Sequence, residues 1–162
     1  MRGILPYLTA LTGLMATSPG TATVAVSGDP VLFWNEQLLS VLSGSPLVGG
    51  RNIAIVNVAI HDAVNASLGS PNRSWLSTSA GATGDTRAAA SVAAHHALVA
   101  LYSAIATALD VALAASLALI PDGTSKTDGM LTDAAVAAVL ANLAADGSSA
   151  RSAYVPVGGP GH

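Results

Sequence analysis

The stretch PLVGGRNIAIVNVAIHDAVNAS, from Pro46 to Ser67, decides how this chain folds, because it places apolar residues at helical spacing around a few polar ones. An amphipathic surface helix carries many charged residues, whereas Ile, Val and Ala dominate this stretch. The pattern therefore predicts a buried helix, in which each polar group needs a hydrogen-bond partner or a function. The polar residues are Arg51, Asn57, His61, Asp62 and Asn65.

Helix-start signals recur on both sides of this stretch. Asp29 and Ser45 each precede a proline, the arrangement of an N-cap followed by proline at the first helical position, and Asp85 or Thr86 precedes the Ala-rich run RAAASVAAHHALVALY. The fold class is therefore predicted as all-α, with about five helices in a bundle, an Ala/Leu/Val-rich core and an extended Gly/Pro-rich C-terminal arm. The predicted helices run from Pro30 to about Ser43, from Pro46 to about Leu68, from Thr86 to Tyr102, from Ser103 to Ile120 and from about Ser125 to Ala145.

Composition narrows the class of protein. The 162 residues are enough for one domain, and 51% of them are hydrophobic although only 4% are aromatic, so the core is expected to be built from small aliphatic side chains. A formal charge of -3 with 9% charged residues argues against a nucleic-acid partner. The absence of cysteine excludes disulfides, thiolate metal sites and a cysteine nucleophile.

The two ends of the chain differ from its middle. Arg2 is followed by a short apolar run and then by the small, turn-prone region TSPGTATVA, which is typical of a secretory signal peptide over residues 1–25. We therefore expect a secreted or periplasmic protein with a helical domain over residues 26–150 and no membrane span in the mature chain. Residues 151–162 are rich in Gly and Pro and are predicted to form a linker or arm.

The His61-Asp62 pair allows a catalytic interpretation. A His-Asp pair on a helix binds divalent metal in one class of phosphohydrolase, together with an upstream His and a downstream Asp. No His precedes His61 in this chain, although Asp110 is available as the later carboxylate. A metal-dependent phosphohydrolase is therefore the weakest of the functional alternatives.

The structural interpretation of the same helix rests on spacing. Asn57, His61 and Asn65 follow one another at four-residue steps and form one polar stripe, which is placed to hydrogen-bond to a neighbouring helix or loop. Asp62 projects about 100° away from His61, a direction that allows pairing with an arginine such as Arg87. We therefore expect His61 and Asp62 to be hydrogen-bonded structural residues.

The adjacent residues His95 and His96 form the second candidate pair. Neighbouring helical residues diverge by about 100°, whereas two metal ligands from one helix normally lie three or four residues apart. One ring is therefore expected to pack inside with its nitrogen satisfied, and the other to reach solvent.

The order of the segments resembles a known family. An exported chain with DPVLFWNEQLLSVL, then PLVGGRNIAIVNVAIHDAVNA, RAAASVAAHHALVALY, LDVALAASLALIPDG and finally YVPVGGPG is similar to the N-terminal part of the bacterial vanadium-dependent haloperoxidase-like proteins of the type 2 phosphatidic acid phosphatase superfamily. The resemblance spans residues 29–161. It implies an all-helical architecture, with vanadate or phosphate bound by a C-terminal helical half.

The motifs that the resemblance implies for that half do not occur here. They are a Lys followed by Arg-Pro, a Pro-Ser-Gly-His segment, and a Ser-Arg segment followed by a His, so no catalytic, cofactor-binding or metal-binding residue is carried over. The chain is expected to be an inactive, truncated N-terminal scaffold whose partner is the missing catalytic half or another chain. The alternative is a secreted helical interaction module that performs no chemistry.

Overall fold

The computed structural model describes residues 28–76, 83–131, 133–144 and 146–148, and over these residues the chain forms helices and no strand. The predicted all-α bundle is confirmed for this part of the chain, whereas the predicted signal peptide (1–25) and arm (151–162) lie outside it. Five helices have at least twelve residues, and α5 has six. The helices are α1 (Pro30–Val41), α2 (Pro46–Ser67), α3 (Thr86–Leu101), α4 (Ala106–Ala118), α5 (Thr124–Gly129) and α6 (Asp133–Ala144), and a 3₁₀ turn (Ser103–Ile105) precedes α4.

The predicted helix starts are confirmed by their capping contacts. The side chains of Asp29, Ser45 and Asp85 accept hydrogen bonds from backbone N–H groups in the first turns of α1, α2 and α3. These groups have no partner within the helix itself, so the side-chain oxygens satisfy donors that would otherwise need water. The predicted ends of the first two helices are one or two residues too late, because α1 stops at Val41 and α2 at Ser67.

Helix α3 lies at the centre of the bundle and packs against α1, α2, α4, α5 and α6. Its buried side chains are mostly methyl groups, which allow neighbouring helices to approach closely on several sides. The large rings of the core come from α1, where Phe33 and Trp34 are fully buried and contact each other edge to face. The predicted Ala-rich core is therefore built around α3, with the aromatic side chains of α1 packed on it.

The prediction of one continuous helix from Ser125 to Ala145 is wrong. Helix α5 ends at Gly129, and α6 begins at Asp133. A Cβ atom on Gly129 would overlap the backbone oxygen of Asp85, and one on Gly84 would overlap the backbone nitrogen of Gly129. The end of α5 therefore touches residues 84–85 backbone to backbone. Helical periodicity carries no information about this close approach, which places α5 against the start of α3.

The α3–α4 junction turns the chain sharply at Tyr102, where the two helical segments are bent by 117°. Tyr102 accepts a hydrogen bond at its hydroxyl from Asn52 Nδ2 (2.8 Å), which links this corner to α2. Within the described residues, no single helix has the length and apolarity of a membrane span, and only this bent pair meets those criteria jointly.

Candidate functional site

Asp62 is the most deeply buried charged residue of α2, with 0% of its surface exposed. Its two carboxylate oxygens accept hydrogen bonds from the backbone of the loop after α2: Oδ1 from Trp75 N at 2.8 Å, and Oδ2 from Leu76 N at 2.9 Å. Bonds from fixed N–H groups compensate the loss of water around a buried carboxylate. Asp62 therefore fastens residues 70–76, here called the Trp75 loop, onto α2.

His61 lies against the same carboxylate. Its Nδ1 atom is 3.0 Å from Asp62 Oδ1, and 42% of the His61 side chain is exposed. Because a carboxylate oxygen only accepts, Nδ1 carries the proton in this contact. Both residues are hydrogen-bonded, as expected: the angle of about 100° separates only their Cβ directions, and the length of the two side chains closes the gap.

The predicted polar stripe of α2 is confirmed at its two ends. Asn57 exchanges hydrogen bonds with Asn35 of α1 at 3.0 and 3.2 Å. Asn65 donates to the Asn72 carbonyl at 2.8 Å and accepts from Asn72 N at 2.9 Å. One end of the stripe thus holds a neighbouring helix, and the other end holds the Trp75 loop.

The sequence suggested Arg87 as a partner for Asp62, but Arg87 binds a different carboxylate. Its guanidinium binds the side chain of Asp85 at 2.8 and 3.2 Å, two residues away on the same helix start. This contact lowers the pKa of Asp85 below its ordinary value. The loop backbone takes the place at Asp62 that the arginine was predicted to occupy, and one-dimensional sequence spacing could not distinguish the two partners.

Arg51, the first polar residue of α2, links the N-terminal part of this helix to the end of α6. Its Nε atom donates to Asp146 Oδ2 at 2.7 Å, and its Nη2 atom reaches the Leu143 carbonyl in the last turn of α6 at 3.4 Å. A cation at a helix C-terminus is stabilised by the carbonyls that have no partner there. Hydrogen bonds from Arg51 and then Ser148 lower the pKa of Asp146 to about 2.

His95 forms a second histidine–aspartate pair, between α3 and α4. Its Nε2 atom lies 2.8 Å from Asp110 Oδ1, and its ring contacts Trp34 edge to face. Only 8% of His95 is exposed, and its Nδ1 atom has no hydrogen-bond partner. The prediction of one buried ring is confirmed for His95, with one nitrogen satisfied and the other not, while His96 is partly exposed.

Within the described residues, Asp110 does not join His61 and Asp62 as a third metal ligand. Asp110, the carboxylate proposed to join His61 and Asp62, is bound to His95 instead. Over the residues that the structure describes, no three His, Cys, Asp or Glu side chains lie close enough to hold a metal ion. Sequence reasoning missed the contact of Asp62 with the Trp75 loop, because it assigned this carboxylate to an arginine.

Comparison of the chain with models of protein families, with curated proteins and with solved structures gave no match. The site is therefore interpreted from its geometry.

Proposed function

We propose that this chain is a secreted helical scaffold that performs no chemistry, and that it corresponds to the N-terminal part of a vanadium-dependent haloperoxidase-like protein. In this proposal a catalytic half, or a partner chain that takes its place, supplies the pocket for vanadate or phosphate. The scaffold supplies a surface on which that half folds and packs.

The way in which α2 uses its polar side chains is the observation that supports the proposal most. Asp62 and Asn65 are buried, and their oxygens are occupied by backbone N–H groups of the Trp75 loop. Asn57 is engaged with α1. A catalytic acid or base needs a polar atom that reaches a substrate, and among the polar residues of this stripe only His61 is exposed.

The distribution of cations also supports a role without oxyanion chemistry. Vanadate or phosphate needs several converging positive donors. Arg51, Arg87 and Lys126 each bind a carboxylate, respectively Asp146, Asp85 and Asp122. The described residues therefore do not fit vanadate or phosphate, and no step through either group is derived for this chain.

Exposed apolar side chains offer a surface for another polypeptide. Four apolar residues are more than half exposed. The first turn of α2 contains Leu47 and Val48, α4 contains Val111, and Leu119 directly follows α4. Adjacent exposed apolar side chains, such as Leu47 and Val48, are available for contact with another polypeptide. This observation supports a scaffold that is covered in a larger assembly.

The proposal is tested by activity and by reconstitution. The purified 162-residue chain should show no vanadate-dependent bromide oxidation and no phosphomonoester hydrolysis above buffer. Co-expression with the C-terminal helical half of a complete haloperoxidase-like protein should give a complex that co-purifies and binds less hydrophobic dye than the chain alone. Robust vanadate-dependent turnover by the isolated chain would overturn the proposal.

The alternative is an independent interaction module, and the complete burial of Phe33, Trp34 and Leu38 favours it. A self-sufficient module should be monodisperse and melt in one cooperative transition without bound dye. A scaffold half should bind dye and aggregate until its partner is supplied. The same purified sample distinguishes the two functions.

A further inference from the structure

Glu36 and Arg73, which form no ion pair within the described residues, each stand beside exposed apolar side chains. Of the four Arg and Lys residues that the structure describes, Arg51, Arg87 and Lys126 bind carboxylates, whereas Arg73 has no ion pair or hydrogen bond within the described residues. Glu36 is the only glutamate of the chain, and it likewise has no partner in the described part. Both side chains are exposed.

Glu36 lies in an apolar stripe of α1. Leu32 and Leu39 are four residues before it and three residues after it, so all three side chains share one helix face. Leu32 and Leu39 are each 60% exposed. The outer face of α1 therefore presents a carboxylate between two leucines, and within the described residues no element covers it.

Arg73 and Trp75 present the complementary chemistry on the Trp75 loop. Trp75 is 73% exposed, whereas the other tryptophan, Trp34, is fully buried. The loop is held by the buried side chains of Asp62 and Asn65, which bond the backbone at Asn72, Trp75 and Leu76. Since the backbone is already fixed, binding through this loop orders little new chain, which favours association.

We infer that the α1 stripe (Leu32, Glu36, Leu39) of one copy of this chain docks on the Trp75 loop of a second copy. Arg73 pairs with Glu36 of the other copy, and the Trp75 ring packs against the two leucines. Arg and Trp are enriched among the residues that contribute most of the binding energy in protein interfaces. A two-fold arrangement forms the contact twice and closes the assembly as a dimer.

The second copy is preferred as the occupant because the chain itself carries both halves of the interface. Arg73 forms no ion pair within the described residues and lies beside the exposed Trp75 ring, so a complementary surface would carry an acid flanked by apolar groups. The α1 stripe has that composition at helical spacing. This contact uses none of the exposed apolar residues of α2 and α4 that support the proposed scaffold function. Failure of either idea is therefore separate from failure of the other.

The test is a charge exchange measured by sedimentation equilibrium. Wild-type chain should show a monomer–dimer equilibrium, and Glu36→Arg or Arg73→Glu alone should weaken dimerisation roughly tenfold or more, since each places like charges in contact. The double variant E36R/R73E restores opposite charges and should recover the wild-type dissociation constant to within about threefold. Trp75→Ser should weaken the dimer about tenfold or more without a charge change.

A matched control is available in Asp122→Arg, which makes the same charge change at a side chain that is 97% exposed and bound only to Lys126. It should leave the dimerisation constant unchanged, and circular dichroism should show that all variants keep their helices. A chain that stays monomeric at high concentration, a dimer insensitive to the single charge reversals, or a double variant without recovery would each overturn the inference. Larger species with the same charge dependence would overturn the closed two-fold arrangement.

Discussion

The two histidine–aspartate pairs of this molecule have similar distances and opposite burial. In the α2 pair, Asp62 is fully buried and 42% of the His61 side chain is exposed, with 3.0 Å between them. In the α3–α4 pair, the His95 side chain is 10% exposed and that of Asp110 is 67% exposed, with 2.8 Å between them. In each pair one member is held by the fold, and the other approaches it from the solvent side.

The difference in burial identifies the member of each pair that stabilises the fold. The free energy of a polar contact depends mainly on what is left unpaired inside the protein when one partner is removed. Removing Asp62 strips two backbone N–H groups of their acceptor, whereas removing His61 leaves a carboxylate that still has both N–H donors. For the α3–α4 pair the important member is the imidazole, because it fills space beside Trp34.

The largest effect is expected from Asp62→Ala. The Trp75 and Leu76 N–H groups lose their acceptor and the Trp75 loop loses its anchor, so the free energy of unfolding should fall by about 2–4 kcal/mol. Urea denaturation measures this value. Asp62→Asn, which keeps the shape and one acceptor oxygen, should lose less, and equal losses in the two variants would contradict a role based on paired N–H groups.

His95→Ala should have the next largest effect, about 2–3 kcal/mol, because it opens a cavity against Trp34 in the core. His95→Phe keeps a ring of similar size and removes the Nδ1 atom that has no partner, so it should cost clearly less than the alanine variant. Thermal denaturation of both variants distinguishes packing from hydrogen bonding. If the phenylalanine variant is the less stable one, the hydrogen bond to Asp110 contributes more than packing, which would contradict the proposed role of the His95 ring in filling space beside Trp34.

A smaller effect on stability, which depends on pH, is expected at the Arg51–Asp146 pair. Both side chains of this pair are partly exposed, so it serves as a reference for the buried residues Asp62 and His95. The pKa of Asp146 is lowered from 3.8 to about 2 in the fold, so the pair stabilises the folded state above about pH 4, and this contribution is lost as the pH falls towards 2. The difference in Tm between wild type and Asp146→Asn should therefore shrink over that range. Other carboxylates with lowered pKa, such as Asp85, are present in both proteins and cancel in this difference. A difference that does not change with pH would contradict the assignment.

The smallest effects are expected from the exposed members of the two pairs. His61→Ala and Asp110→Ala should each change the free energy of unfolding by about 0.5 kcal/mol or less, because the removed side chain lies on the solvent side of its partner and water can take its place. Differential scanning calorimetry resolves whether these variants melt with wild type. A loss at His61 as large as that at Asp62 would show that the imidazole, rather than the backbone donors, holds the carboxylate.

Local chemistry made much of the fold predictable. Asp29 and Ser45 identified two helix starts, and the choice between Asp85 and Thr86 placed the third to within one residue, because N-cap side chains act on backbone only two or three residues away. The stripe formed by Asn57 and Asn65 was likewise predictable, since four-residue spacing places these side chains on one face. The partners of the stripe were predicted only as a class, a helix or a loop.

The contacts that sequence reasoning missed depend on tertiary approach. Asp62 was predicted to meet Arg87, yet the Trp75 loop folds back over α2 and supplies neutral N–H donors in its place. The break between α5 and α6 lies beside the close backbone contact of Gly84 with Gly129, which no helical periodicity encodes. His95 meets Asp110 because the chain turns by 117° between their helices.

The central claim is that the polar residues of α2 hold the fold together and that Asp62 anchors the Trp75 loop. Amide hydrogen exchange of Trp75 and Leu76, followed by NMR in wild type, His61→Ala and Asp62→Ala, tests it most directly. Both amides should be strongly protected in the wild type and in His61→Ala, and should lose that protection in Asp62→Ala. Exchange in the wild type at the rate of an unstructured peptide would contradict the account.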